Sequence, residues 1–121
     1  MSAAAKSVVR AYYDALNRRD IDALMAIYTD DARTWVAGQG AFAGWHPVSR
    51  EALAAFFEMF ESLRFTLLDM TAQGDRVAVE LESEGTLRGA PYTNQYHNLV
   101  LVRGERVAEL KEYYDTARAG G

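Results

Sequence analysis

The sequence contains no cysteine, which removes disulfides, thiolate metal sites and thiol nucleophiles together and suits a reducing cytoplasm. It also lacks a long apolar run. Every apolar run, Leu53 to Phe57 among them, falls far short of the roughly 20 residues a membrane-spanning helix needs. Lys6 and Arg10 interrupt the alanines of the N-terminus, so the apolar stretch of a signal peptide is missing. A soluble, unexported, cytoplasmic protein is expected. There is no basic excess: 13 Lys and Arg face 17 Asp and Glu, for a net charge of -4. That balance argues against a nucleic-acid partner, whose phosphates are held mainly by Lys and Arg. His46 and His97 are isolated, with no metal-ligand spacing around them, so no metal is expected. No Gly-Lys-Ser/Thr step, Gly-x-Gly-x-x-Gly turn or Gly-x-Ser-x-Gly elbow occurs, which discounts phosphate loops and serine hydrolases.

What is present suits one folded unit. Half of the 121 residues are apolar and 12% are aromatic, enough for a sizeable core in a single domain over residues 1–121, with 116–121 as a loose tail. Apolar residues at Ala4 or Ala5, Val8, Tyr12 and Leu16 recur at helical spacing. Asp20 is placed to cap a second helix carrying Ile21, Leu24, Met25 and Tyr28 on one face, ended by Thr29 to Asp31. Arg33 to Ala37 reads as a short strand, and Gly38 to Pro47 as a loop. Ser49 is placed to cap a third helix, with Leu53, Phe56, Phe57 and Phe60 on or near its buried face.

From Leu63 the period changes to two, giving strands at about Arg64 to Ala72, Arg76 to Thr86, Pro91 to Val102 and Arg106 to Asp115. Gly74, Gly89 and Gly104 mark the turns between them. Helices first and strands after imply an α+β fold with a curved, mostly antiparallel sheet wrapping the three N-terminal helices.

The last strand carries the sharpest functional signal. Ala108, Leu110, Glu112 and Tyr114 share one face, and Val107, Glu109, Lys111 and Tyr113 the other. Glu112 therefore sits on a face that otherwise reads as apolar. An unpaired carboxylate there is costly and its pKa should rise, the setting a general acid or base needs. Pairing with an arginine, or a place at the sheet rim, is the structural alternative. One strand earlier, Asn94, Tyr96 and Asn98 lead into an apolar run on one face, with Gln95 and His97 on the other. That strand reads as functional or wet at one end and core at the other. Trp35, Trp45, Tyr28, Tyr12, Phe56 and Phe60 are candidates to line an apolar pocket, or to be plain core. Glu80, Glu82 and Glu84 alternate with Val77, Val79 and Leu81 and read as a solvated strand face.

Tyr12-Tyr13-Asp14-Ala15-Leu16-Asn17 with Asp20, Tyr28-Thr29-Asp30-Asp31-Ala32, Phe42-Ala43-Gly44 and Glu112-Tyr113-Tyr114-Asp115-Thr116 together resemble the SnoaL-like proteins. These belong to the nuclear transport factor 2-like superfamily, with ketosteroid isomerases and limonene epoxide hydrolases. The resemblance implies a cone of helices and sheet around a deep pocket, and frequently a homodimer through the outer sheet face. It also implies that Tyr12 matches the ketosteroid isomerase tyrosine that donates to a developing oxyanion, with Asn98 where that family has a protonated acid. Val36 or Trp35 stands where its general base would be. Glu112 matches the last-strand acid of limonene epoxide hydrolase, whose partner Arg-x-Asp is missing from Arg76 to Arg88.

Two functions are compatible with these residues. The first is a cofactor-independent acid–base enzyme of isomerase, cyclase, dehydratase or epoxide hydrolase type, acting on a small hydrophobic oxygenated molecule. Glu112 would move the proton, Tyr12 and Asn98 would stabilise negative charge, and Asn94, Tyr96 and Tyr114 would line the substrate site. The second is a non-catalytic module that binds a hydrophobic ligand or mediates association.

Overall fold

The structure is a computed structural model that describes residues 2–118. Its elements run α1 (Ser2–Asn17), α2 (Ile21–Ile27), β1 (Tyr28–Val36), β2 (Gly44–Pro47), α3 (Arg50–Met59), β3 (Phe60–Gln73), β4 (Arg76–Leu87), β5 (Ala90–Arg103) and β6 (Arg106–Glu112). The six strands form one sheet in the order β2-β1-β6-β5-β4-β3. Every neighbouring pair is antiparallel except β1 with β6, which is parallel. The fold is therefore α+β with a mixed, mostly antiparallel sheet. Residues 119–121 of the expected tail lie outside the described residues, while Thr116 to Arg118 form a turn.

Both expected caps are in place. Asp20 Oδ1 accepts from Ala23 N at 3.0 Å and Ser49 Oγ accepts from Ala52 N at 3.0 Å, each satisfying an amide that the first helical turn leaves unpaired. The α1 stripe is rotated from the expected one: Ala5, Val9, Tyr12, Tyr13 and Leu16 are buried, and Val8 only partly so. With Leu24, Val77, Val79, Leu81, Val100, Val107 and Leu110 they make the core between the helices and one face of the sheet. Glu80, Glu82 and Glu84 point to solvent, as their parity required.

Four element boundaries differ from the periodic reading. Tyr28 does not close α2; it is already extended, at φ -73 and ψ 145, and opens β1. Pairing with Val107 of β6 recruits Tyr28, and the register is interrupted until Arg33 pairs with Glu109. Gly44 to Pro47, expected as loop, pairs with β1 as an edge strand. Phe60 opens β3 instead of closing α3, and no α3 residue is fully buried. The last strand stops at Glu112 instead of Asp115.

The largest change of parity lies in β6. A register shift between Leu101 and Val102 places Val107 opposite Val102, while Glu109 faces Leu101 and Leu110 faces Val100. Ala108 is the extra residue of this bulge, so Val107 joins Leu110 on the inner face, against the strict alternation expected. At the opposite end of β5, Arg88 at φ 51 and Gly89 at φ 82 form a tight two-residue turn. Consecutive positive φ values there match the right-handed twist of the flanking strands.

Candidate functional site

Parallel pairing sets which side each β1 side chain takes. Val36 aligns with Glu112 and Trp35 with Lys111, so Glu112 shares the inner face with Val36 and Leu110. Across β5, Asn98 lies one step past the Leu99–Lys111 pair and hence beside Glu112. The inner face of β5 is buried at every second position: Tyr92, Asn94, Tyr96, Asn98, Val100 and Val102. The expected alternation of this strand holds, with Gln95 and His97 outside.

Glu112 is only partly covered, yet surrounding protein raises its pKa from 4.5 to about 7, with burial as the cause. No side-chain hydrogen bond or ion pair reaches its carboxylate among the described residues. No buried side-chain oxygen or nitrogen among them is left without a partner. The carboxylate oxygens therefore keep accessible surface. Lys111, adjacent in sequence, points to the other side and approaches the Trp45 ring at 5.8 Å. The alternative of pairing with an arginine is thereby set aside.

Around this acid stand neutral phenols. Burial raises the pKa of Tyr12, Tyr13, Tyr28, Tyr96 and Tyr114, and the negative charge of Glu112 adds to the shift of each. Their hydroxyls are joined in pairs. Tyr12 and Tyr28 share a 2.7 Å hydrogen bond, Ser83 and Tyr96 one of 2.8 Å, and Asn98 Nδ2 donates to Tyr13 at 2.9 Å.

The two asparagines also hold the chain beyond β6. Asn98 Oδ1 accepts from Tyr113 N at 3.1 Å. Asn94 clamps Asp115 on both sides, Nδ2 donating to its carbonyl at 3.1 Å and Oδ1 accepting from its amide at 3.1 Å. Asn94 donates also to the Tyr92 hydroxyl at 2.7 Å. Amide side chains thus reinforce the backbone pairing that continues past β6, where His97 N donates to the Tyr113 carbonyl at 2.9 Å, and they fix Glu112 from the residue after it. Asn94 and Asn98, expected as ligand contacts, spend most of their hydrogen bonds on the protein.

The aromatic candidates divide between the two faces. Phe56 and Phe60 lie 5.3 Å apart, and Phe60 lies 5.3 Å from Tyr92; Tyr96 lies 6.4 Å from Tyr114. Tyr28 is core, against Tyr12. Trp35 and Trp45 are the correction: they pair across β1 and β2 on the outer face, opposite Glu112. There Arg33 covers the Trp45 ring at 3.9 Å and bonds Glu109 at 2.9 and 3.0 Å, while Trp35 packs on Tyr113 at 5.1 Å. An open recess of about 550 Å³ lies where the end of α1 meets β3, β4 and β5. Tyr92 lines it, with Asn17, Arg19, Glu61 and Glu84, but none of the side chains expected to bind ligand does.

Three polar groups of the inner face were missed by the sequence reading. Tyr13 hides behind Tyr12 in the helical count, Ser83 continues the Val77, Val79, Leu81 parity, and Tyr92 precedes Asn94 by one alternation. Extending each stripe by one position would have found the last two. Among the described residues no group of three or more His, Asp or Glu side chains converges as a metal site. No described helix is long and apolar enough to cross a membrane.

A helix-backed curved sheet with an unpaired acid on its inner face defines an α+β domain of the SnoaL and nuclear transport factor 2 kind. The SnoaL-like domain model matches residues 9–110, and the chain belongs to that family. Solved structures share the fold. Bal32a from a soil-derived mobile gene cassette superposes with a TM-score of 0.84 at 21% identity, over 98% of this chain and 95% of that one. TerC co-crystallised with polyporic acid gives 0.83 at 22%, over 97% and 95%. IdmH of Streptomyces antibioticus, a candidate polyketide cyclase, gives 0.77 at 21%, over 94% of each chain. No curated protein matches the sequence.

Proposed function

We propose that the protein is a cofactor-independent acid–base enzyme acting on a small, hydrophobic, oxygen-bearing molecule with an enolisable carbonyl. The observation that carries this reading is Glu112: an acid with a pKa about 7 and no partner among the described residues, in the company of phenols that stay neutral. At that pKa the carboxylate is a competent base near neutrality and its conjugate acid is still able to return the proton. It would take a proton from carbon next to the carbonyl, leaving the bond pair as an enolate whose oxygen a neutral phenol hydrogen-bonds. The proton then passes from Glu112 to another atom of the substrate, completing an isomerisation, cyclisation or elimination. The half-buried Phe56 and Tyr114 offer ring-shaped contact area.

The test is solvent-deuterium exchange at the α-carbon of ring-bearing carbonyl compounds, followed by proton NMR. Polyketide-like 1,3-diketones, whose α-hydrogens exchange through an enolate, come first, given the polyketide-cyclase neighbour above. Exchange by the parent protein, slowed roughly 100-fold or more in Glu112→Gln, is the expected result; equal exchange in both would overturn it. One observation favours the second reading, a non-catalytic binder: Tyr12 and Tyr28 satisfy each other. Under that reading Glu112→Gln binds the same compounds at least as tightly and the parent exchanges none. The half-buried Trp35, Leu99 and Leu101 beside exposed Trp45 and Tyr113 support pairing of two copies through the outer sheet face.

A further inference from the structure

Among the described residues α3 is the one helix with no buried residue, although its path leads over the core. The Val48 amide, just before it, donates to the Ala32 carbonyl of β1 at 3.2 Å, and Met59 at its end runs directly into β3. β6, β5 and β4 separate β1 from β3, so α3 has to pass across all three. It does so obliquely. Ala32 lies on one side of the row formed by Glu112 and Asn98, since it precedes Val36, the partner of Glu112. Tyr92, which Phe60 touches, lies on the other side, further along β5 from Asn98. A helix of this length, 10 residues, is only about 15 Å long, so the curl of the sheet brings these points together and α3 closes the concave side like a crossbar. Leu53, Phe56 and Phe57 face the core from it, half-buried. So short a helix is not held by propensity, and local stability follows buried apolar contact. The place of α3 therefore depends on its fastenings.

Those fastenings are unequal. At the start, besides the Val48 bond, the Ser49 cap is internal to the helix, and Arg50 reaches an exposed Asp22 at 2.6 Å, a pair that water and salt screen. At the end, Arg19 Nη1 donates to the Phe57 carbonyl at 2.8 Å and Nη2 to the Phe60 carbonyl at 2.7 Å, with the guanidinium carbon 5.5 Å from the Phe57 ring centre. One carbonyl belongs to the helix and the other to the strand, so a single side chain brackets the joint and sets its angle. The joint itself is irregular: Phe60 faces Leu87 and Ser62 faces Thr86, which leaves Glu61 as an extra residue. Arg19 and Glu61 both line the open recess of about 550 Å³, so the joint has space beside it.

The backbone of Arg19 departs from its ordinary preference to make this contact. Asp20 N donates to the Ala15 carbonyl and Arg19 N to the Leu16 carbonyl, both at 3.1 Å, the pattern of a helix end whose closing residue is left-handed. Arg19 is that residue, at φ 56, where glycine is usual because a Cβ is disfavoured. We propose that α3 is a pivoting cover over the inner face, that Arg19 is the positioning residue that holds it shut, and that a flat apolar ligand reaches the row of Glu112 and Asn98 when the Ser49 end lifts. The inner face needs such an entrance whether a ligand is turned over or only held there, so the cover stands apart from the acid–base reading.

Two experiments on the whole chain test it. In amide hydrogen exchange of the parent, α3 is expected to open by a route that urea barely accelerates, while Val79 and Val100 exchange only with global unfolding. Arg19→Gly removes the bracket and suits the left-handed backbone. It is expected to speed exchange over α3 roughly tenfold or more, as loss of hydrogen bonds from a charged donor does, and to leave Val79 and Val100 unchanged or slower. Exchange sped equally over helices and strands would make Arg19 a fold-holding residue only, and exchange of α3 in the parent that needs global unfolding would leave no cover to move; either result overturns the proposal. The second experiment follows binding of anilinonaphthalene sulfonate, a flat dye that brightens away from water, by stopped flow. Its association rate is expected to rise roughly tenfold in Arg19→Gly, in step with the opening that gates it, with a smaller change in affinity at equilibrium. An unchanged rate, or no binding to either protein, overturns the entrance. Neither readout involves proton transfer, so each can fail with the role of Glu112 intact, and the deuterium-exchange test can fail with the cover intact.

Discussion

At Glu112 the burial of one carboxyl ties the stability of the fold to pH. Its folded pKa, about 7, exceeds the 4.5 of an exposed glutamate, so the folded protein holds this proton more tightly than the unfolded chain. Its contribution to stability is therefore fully present below pH 4.5 and is lost as pH rises through 7. The shift corresponds to about 3 kcal/mol at most, less whatever water at the carboxylate screens. Urea denaturation at pH 5 and pH 8 should show the parent losing stability across this interval relative to Glu112→Gln, which is expected to be the more stable protein at pH 8. Because the phenols around it remain neutral, they do not add a second transition in this window.

Between elements, the end of β6 and the start of β3 are the sensitive joints. Asn94 makes two hydrogen bonds to the backbone of Asp115 and takes the Gln95 amide at 2.7 Å. Asn94→Ala should cost about 1 to 2 kcal/mol and raise amide hydrogen exchange selectively over residues 113–118. At the other joint β3 and β4 approach so closely that a Cβ on Gly85 would sit 2.1 Å from the Ser62 carbonyl oxygen. Backbone cannot move aside as a flexible side chain can, so Gly85→Ala should cost about 2 to 3 kcal/mol, measured by thermal or chemical denaturation. The caps of α2 and α3 and the turn at Arg88-Gly89 were legible in the sequence, because each is decided by residues adjacent in the chain. The start of β1 at Tyr28 was not. Its helical spacing is real, but the backbone there is claimed by β6, nearly eighty residues further on.

For the molecule as a whole, the sheet separates two sets of side chains by its two faces. The inner face holds the acid and the phenols; the outer face holds Trp35, Trp45, Tyr113 and the Arg33–Glu109 ion pair. Changes on one side should therefore leave the other intact. Trp35→Glu is expected to convert a dimer to a monomer in light scattering while the titration of Glu112 stays near its parent value. A monomeric parent protein would remove the outer face from consideration as a self-association surface. A shifted Glu112 in that variant would show that the two faces are not independent.

The sequence by itself determined the α+β class, the helix caps, the hairpin turns, and the alternation that puts Asn94, Tyr96 and Asn98 on one side of β5. It also determined that Glu112 falls on the apolar side of its strand, since a period of two is a local property. Only the tertiary structure decided that this acid has no hydrogen-bond or ion-pair partner among the described residues, that Val107 crosses to the inner face at the Ala108 bulge, and that Trp35 and Trp45 turn away from it. Those outcomes depend on register between strands distant in the chain, and a one-residue shift there reverses every side chain that follows. The meeting of Tyr13 with Asn98 is of the same kind: helix and strand, 85 residues apart in the sequence, are brought together by packing of the core and by nothing in either segment alone.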